Sequence, residues 1–394
     1  MHLPDSAGLL GALERAGRRL VIVSSGGGSA AIPHLVTTPG ASAVVVDALV
    51  PYARAAVDSL LGGPQESYCS PRTARRLAMA AWQRARDLGT PADRAVGAAV
   101  SAALRSREPK RGDHRVTVAV QTFDATSSVE VVLEKGARSR AEEEAVAAAL
   151  VLDALAAECG AAECGAAGMA ASVLRPGEVV RRDRVAVPGH EPPPCHAVGA
   201  SSGCPDRPRT GALVFPGSFD PLHDGHRLMA RIAEEVAERP VEWELSVTNV
   251  DKPALDYVEI RARVAQFADG PAGAPTRPLW LTRAPTFLEK LTVFPGGTFA
   301  MGADTYVRLA DPRYYGGSAD ATAAAVATIA REARGLIVFG RVKDGVFQDP
   351  AHLDVPQALR DVTYFVSQQE FRLDVSSTEL RRRQLDAMEA TCED

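Results

Sequence analysis

One stretch limits the folds open to this chain more than any other: Phe215-Pro216-Gly217-Ser218-Phe219-Asp220-Pro221-Leu222-His223-Asp224-Gly225-His226. Ala212 to Phe215 is a short apolar run of the kind a buried parallel strand needs, and Pro216-Gly217 breaks it where the chain must turn. From about Asp224 the pattern becomes helical. Leu228, Met229, Ile232, Ala233, Val236 and Ala237 recur at three- and four-residue spacing, with Arg231, Glu234, Glu235 and Glu238 on the other face. A strand that enters a helix through a glycine-containing loop aims unpaired backbone N–H groups and the positive helix end at whatever lies over the loop. The natural occupant is a phosphate. His223 and His226, three residues apart at the helix mouth, can face one point and donate hydrogen bonds to a phosphoryl group gaining charge.

The same stretch resembles the signature of the nucleotidyltransferase superfamily, G-x-F-[DN]-P-x-H-x-G-H, at Gly217, Phe219, Asp220, Pro221, His223, Gly225 and His226. The resemblance implies a Rossmann-like parallel sheet. It also implies attack of a phosphate monoester on the α-phosphorus of a nucleoside triphosphate, with pyrophosphate leaving and no covalent enzyme intermediate. Such chemistry asks the protein for positioning and charge neutralisation.

Later segments fit the same family in order. Val241 to Val247 reads as a strand ending near Lys252, which would lie at the carboxyl edge of a parallel sheet, where ligands collect. The helical stretch Tyr257 to Phe267, containing Arg261, resembles a second triphosphate-contacting segment, and Thr286 to Leu291 a T-x-x-x-x-L helix start. Thr298 to Asp304 resembles the G-A-D segment beside the nucleotide. There Gly302 would approach the ligand, and Asp304 would orient the adenosine side or a metal-bound water as well as capping a helix. Arg341, after the strand Gly335 to Phe339, is either a substrate-phosphate contact or an exposed arginine. After the strand Val362 to Val366, Ser376 and Glu379 make a capping box. Ser376, Ser377, Thr378 and Arg381 also follow the family's S-S-T-x-[IL]-R order, which holds the β- and γ-phosphates. Trp243 and Trp280 are candidates for base stacking, with core packing as the alternative.

The N-terminal half is organised differently. A short helix from Leu9 to Ala16 leads into the strand Leu20-Val21-Ile22-Val23, which ends in Ser24-Ser25-Gly26-Gly27-Gly28-Ser29. Further on come an apolar run Ala43 to Val50, helices ending at Leu61-Gly62 and spanning Pro71 to Leu88, strands Ala95 to Val100, Val116 to Val120 and Val129 to Leu133, and a helix from Ser139 to Ala157. In order and spacing this half resembles the CinA carboxy-terminal domain, the family of nicotinamide-mononucleotide deamidases. The carrying residues are Ser25 with the following glycines, Pro39-Gly40-Ala41-Ser42, Tyr52, Leu60-Leu61-Gly62, Met79-Ala80 and Gly136-Ala137-Arg138. The family's E-S-C-T-G-G survives only as a serine and a glycine, and Val57 stands where its lysine is expected. A serine nucleophile needs a base to take its proton. The expectation is therefore a pseudoenzyme that binds a nucleotide, steadies the second domain or mediates oligomerisation.

The predicted fold class is α/β with two domains: a CinA C-terminal-like α/β domain over 1–159 and a Rossmann-like nucleotidyltransferase parallel sheet with flanking helices over 211–394. Residues 160–210, rich in Gly, Ala and Pro, read as a linker. Within it Val179 to Val187 is basic and strand-like, able to dock on a neighbouring domain. A length of 394 residues, 46% hydrophobic and 24% charged, suits two or three domains. No apolar run approaches the roughly 20 residues of a membrane helix, the N-terminus does not read as a secretion signal, and a cytoplasmic enzyme is expected. A net charge of −5 gives no support for a nucleic-acid partner. Of the six cysteines, Cys69, Cys159, Cys164, Cys195, Cys204 and Cys392, the four from Cys159 to Cys204 are either a zinc site with His190 or His196 or plain linker thiols; their spacings fit no standard knuckle, and no metal ligand is assigned.

Among relatives, the two motifs together look most like nicotinamide- or nicotinate-mononucleotide adenylyltransferases. That resemblance implies ATP with Mg2+ and a pyridine mononucleotide as partners. His223, His226, Lys252 and Arg381 would be the catalytic groups, and Gly217, Ser218, Phe219, Gly225, Gly302, Asp304, Ser376, Ser377 and Thr378 would bind nucleotide. The rival readings are cytidylyl or phosphopantetheine adenylyl transfer, and a non-catalytic nucleotide-binding scaffold. Homo-oligomerisation is left open.

Overall fold

The computed structural model describes residues 6–159, 172–187, 195–198, 208–267, 277–343 and 346–371, with backbone only at 195–198, 342, 343 and 346. The chain divides into two compact units, Met1–Glu191 with Asp251–Glu259, and Pro192–Val250 with Ile260–Asp394. Both are α/β.

The sheet of the first unit contains β1 (Arg19–Ser25), β2 (Val45–Leu49), β3 (Ala95–Ala103), β4 (His114–Gln121), β5 (Ala125–Leu133) and β6 (Val179–Ala186), in the order β2-β1-β3-β4-β5-β6. β2, β1 and β3 are parallel, and β4, β5 and β6 continue antiparallel. The strand alternation of β1 sorts its side chains to two cores. Leu20 and Ile22 join α1 (Ser6–Arg15), α2 (Ala31–Val36) and α5 (Arg140–Glu158), whereas Val21 and Val23 join α3 (Arg54–Leu61) and α4 (Pro71–Asp87). Helix α4 comes unusually close because it presents Ala74, Ala78, Ala81 and Ala85, all fully buried. A Cβ on Gly97 of β3 would stand 2.0 Å from the Ala78 carbonyl oxygen. Val179–Ala186 thus completes the first sheet. On this edge strand Arg181 pairs with Glu130 of β5, and Arg182 and Arg184 pair with Asp153 and Glu158 of α5, so the basic run is matched by acids of the neighbouring strand and of the helix.

Asp251–Glu259 is part of the same unit. Arg75 Nε donates to the buried Asp256 carboxylate at 3.3 Å, Arg72 pairs with Glu259 at 3.1 Å, and the Tyr257 amide donates to Thr126 Oγ1 at 3.0 Å. Burial raises the Asp256 carboxyl above its usual range, with Arg75 opposing.

In the second unit, β7 (Cys195–Val198), β8 (Leu213–Pro216), β9 (Val241–Ser246), β10 (Leu279–Thr282), β11 (Thr298–Gly302) and β12 (Gly335–Phe339) are followed by a hairpin of β13 (Arg341–Lys343) and β14 (Val346–Gln348), then β15 (Thr363–Val366). The main sheet runs β15-β12-β11-β8-β9-β10-β7, parallel except for β7 at one edge. Its helices include α6 (Asp224–Ala237), the part of α7 (Tyr257–Ala265) from Ile260 on, α8 (Phe287–Val293), α9 (Ala303–Arg308) and α10 (Ala319–Glu332). From β8 the chain proceeds outward through β9 and β10, then returns to β11 on the other side of β8. The strand order reverses between β8 and β11, and the crevice outside the carboxyl ends of such a pair is where open α/β sheets bind ligands.

Candidate active site

The loop after β8 occupies that crevice edge, and its shape follows from how its aromatics pack. Phe219 is fully buried with its backbone at φ 44°, in the left-handed region that costs a non-glycine residue on the order of 1 kcal/mol or more. Its ring is wedged edge-on against Phe215, Trp243, Phe267 and His226, with centroids 5.2–5.9 Å away. Gly217 makes room for it, because a Cβ there would come within 2.6 Å of the Phe219 ring. Phe219 therefore sits beneath the loop as the support for His226, and Ser218 is exposed above it.

His223 caps α6 from an extended backbone conformation, and the two imidazoles stack at 3.7 Å between centroids. The His223 amide donates to His226 Nδ1 at 3.3 Å. A ring nitrogen that accepts carries no proton, so the neutral His226 ring bears its proton on Nε2 and can donate from there. Burial, helped by the neighbouring His223, pushes the His226 pKa down to about 3. His226 is thus a fixed neutral donor at neutral pH. Burial also lowers His223, with Asp224 opposing. Gly225 is buried in the first turn of α6.

Two residues of the helical segment after Tyr257 hold the loop from outside. Arg263, only 7% exposed, donates to the Ser218 carbonyl at 2.7 Å and stands 3.5 Å from Asp220. Gln266 donates to the Phe219 carbonyl at 3.1 Å and accepts from the Leu222 amide at 2.6 Å. Sequence reasoning singled out Arg261 in this helix and missed both. Arg263→Ala is expected to cut kcat/KM by ten- to roughly 10²-fold, the scale of a reacting group displaced by about an ångström. Steady-state kinetics within about twofold of wild type would show that the loop keeps its shape without Arg263.

Across the switch point, Gly302 ends β11 and precedes α9. A Cβ there would meet no atom within 4 Å, so packing does not require the glycine. Asp304, exposed, and Arg341, half-buried, both follow the carboxyl ends of strands and form an ion pair with each other. Lys252 is exposed and belongs to the Asp251–Glu259 segment of the first unit. Ser376, Ser377, Thr378 and Arg381 lie outside the described residues. Trp243 and Trp280 are buried in the second unit, Trp243 stacked 5.1 Å from Phe215 and Trp280 Nε1 donating to Glu242 at 2.7 Å. Both pack as core.

A buried charge pair underlies the site. Lys290 Nζ reaches both carboxylate oxygens of Glu244 at 2.8 and 2.9 Å and the Ala284 carbonyl at 2.7 Å, while Thr282 also donates to Glu244. Both side chains are nearly inaccessible. The Glu244 carbonyl accepts the Gly217 amide at 3.0 Å, which ties this pair to the first turn of the loop. Two glutamates in Val241-Glu242-Trp243-Glu244-Leu245, a strand flanked on both sides by other strands, were the sequence signal for such partners.

The Ser24–Ser29 loop of the first unit has its own anion already. Glu144 accepts from Ser29 Oγ at 2.9 Å and the Ala30 amide at 3.2 Å, and Arg140 holds it at 3.0 Å while also donating to the Gly26 carbonyl. The glycines answer to packing: Cβ atoms on Gly26, Gly27 and Gly28 would lie 2.0, 2.5 and 2.8 Å from atoms of Ala102, Leu104 and Val100. Val57 is buried in the core. Burial pushes the Cys69 thiol up to about 11 and the Cys159 thiol up to about 12, so neither is a thiolate at neutral pH. Cys164, Cys204, Cys392 and His190 lie outside the described residues, as do the side chains of Cys195 and His196.

Residues 214–383 match the family model described as cytidylyltransferase-like, and this half of the chain carries a domain of nucleotidyltransferase type. No curated protein matches the chain. Similar solved structures include the competence/damage-inducible protein CihA from Agrobacterium tumefaciens, 20% identical over 41% of this chain and 98% of that one, with a TM-score of 0.32. A CinA superfamily protein from Escherichia coli is 18% identical over 39% and 92% (TM-score 0.33), and one from Klebsiella pneumoniae 16% over 39% and 95% (TM-score 0.34).

Proposed function

We propose that the second unit joins ATP to nicotinamide mononucleotide or nicotinate mononucleotide, forming the dinucleotide and pyrophosphate. A phosphate oxygen of the mononucleotide attacks the α-phosphorus, and the bond to the β-phosphate oxygen breaks as pyrophosphate departs. The observation that carries the reading is the stacked His223–His226 pair at the mouth of α6, with His226 neutral and protonated on Nε2. A neutral donor fixed in place suits a phosphoryl group gaining charge, because it needs no reorientation as the charge develops.

In this reading Gly217, Ser218 and Gly225 shape the phosphate seat and Gly302 gives the nucleotide a close backbone approach. Arg381 neutralises the triphosphate, and Ser376, Ser377 and Thr378 hold it by hydrogen bonds. Magnesium enters with the triphosphate as the counter-ion of its phosphates, and the exposed Asp304 carboxylate is the group that would orient a metal-bound water. The first unit is read as non-catalytic, since Glu144 occupies its serine–glycine loop and Val57 replaces the base.

The family model's description favours CTP as the competing donor. The deciding assay offers purified protein Mg2+ with ATP or CTP, crossed with nicotinamide mononucleotide, nicotinate mononucleotide and phosphopantetheine, and follows product and pyrophosphate. Dinucleotide from ATP and a pyridine mononucleotide, without ammonia release from nicotinamide mononucleotide, is expected. Product only with CTP or only with phosphopantetheine would reassign the substrate. No product from any pair would leave the nucleotide-binding scaffold.

A further inference from the structure

The first unit holds a concavity at the opposite sheet edge from the Ser24–Ser29 loop. Arg19, Val45 and Ala95 begin β1, β2 and β3, and the turns that feed these three strands line an open cavity of about 420 Å³. That volume lies in the range of small-molecule sites. Its wall joins Arg19 and Arg94 to Ser42, Val45, Val46 and Leu88, and no carboxylate lines it.

The charge is not neutralised from nearby. Among the described residues neither Arg19 nor Arg94 forms an ion pair, whereas Arg72, Arg75, Arg84, Arg115 and Arg138 of the same unit each do. The adjacent carboxylate on β2, Asp47, is taken by Arg84. Arg19 is also held in place: its guanidinium donates to the carbonyls of Ser42 and Ala43, and its amide donates to the Arg94 carbonyl at 2.8 Å. Gly17, at φ 64°, forms the turn beside Arg94, and a Cβ on it would lie 3.8 Å from Arg94 Nε. Beside these cations Leu88 is 52% exposed, an apolar surface with nothing of the unit over it.

We propose that this cavity binds a phosphomonoester carrying a compact apolar group. Two guanidiniums match a dianion through paired hydrogen bonds, and Leu88, Val45 and Val46 take the apolar part. The site is separate from the His223–His226 chemistry and does not depend on it.

Isothermal titration of the full chain with phenyl phosphate, inorganic phosphate and benzoate tests this. Saturable binding of phenyl phosphate is expected, with each simpler probe weaker by at least about threefold. Arg94→Ala should weaken phenyl phosphate by about tenfold or more, the scale of one lost charge-assisted contact, and Arg94→Lys should recover part of it. The Arg94-dependent binding of phenyl phosphate should persist in the His223→Ala/His226→Ala double variant. Circular dichroism confirms that each variant is folded. The proposal is overturned by no binding at millimolar phenyl phosphate, by an Arg94→Ala variant that binds normally, or by binding that disappears in the double histidine variant.

Discussion

Alanine in place of His226 is expected to lower kcat for nucleotidyl transfer by about 10²-fold or more, the usual loss when a preorganised donor to a developing oxyanion is removed. The ring is held on three sides, by Phe215, by Phe219 and by the stacked His223, and its Nδ1 is committed to the His223 amide. Only Nε2–H remains to act on a ligand, so the loss should fall on kcat more than on KM. A rate within about threefold of wild type, below the scale of an electrostatic catalytic contact, would remove the histidine pair from the chemistry. The same burial has a thermodynamic signature. The His226 pKa is about 3 when folded against an ordinary 6.5, so below pH 6.5 the unfolded chain takes up a proton that the folded chain refuses. The contribution is fully present above pH 6.5 and is lost as the pH falls towards 3. Between those limits wild type should lose up to about 1.4 kcal/mol per pH unit more than His226→Ala. Urea unfolding at pH 7 and pH 5 measures the difference.

The regular elements were legible because their patterns are local. The apolar run Leu20-Val21-Ile22-Val23, the alanine face of α4 and the strand–glycine–helix sequence around Phe215 each specify their own conformation, and each stands where the pattern put it. The histidine pair was legible for the same reason, since three residues at a helix mouth bring two rings together without help from the rest of the chain. What supports the pair was not. Arg263 and Gln266 reach back to Ser218, Phe219 and Leu222 across more than forty positions, and no spacing in one sequence announces that. The glycines of the first unit were ambiguous in the sequence. A glycine-rich turn after a strand suits a phosphate or a plain turn, and here Gly26, Gly27 and Gly28 lie against β3 and Leu104 just beyond it, while the anion at the loop is a carboxylate from a helix begun over a hundred residues later. Glycine is needed equally where a ligand approaches and where backbone does, and only the fold distinguishes the two.

Lys290→Met is expected to destabilise the second unit by about 3–5 kcal/mol, because it strands the Glu244 carboxylate in the interior without its cation. Removing one partner costs far more than the intact pair contributes, since the pair itself roughly offsets its own desolvation. Glu244→Gln/Lys290→Met should therefore regain most of the loss, with glutamine still able to accept from Thr282 and methionine filling the space of the lysine stem. Chemical denaturation of the two variants separates a charge effect from a packing effect. A single variant within about 1 kcal/mol of wild type would mean that water or local movement relieves the carboxylate. A double variant as unstable as the single would mean that lysine acts by shape. Because the Glu244 carbonyl also accepts the Gly217 amide, the pair is coupled to the turn that presents the histidines. Nucleotidyl transfer should fall in the single variant and return with stability in the double, whereas a double variant that is stable but slow would assign Lys290 a positioning role beyond holding the fold.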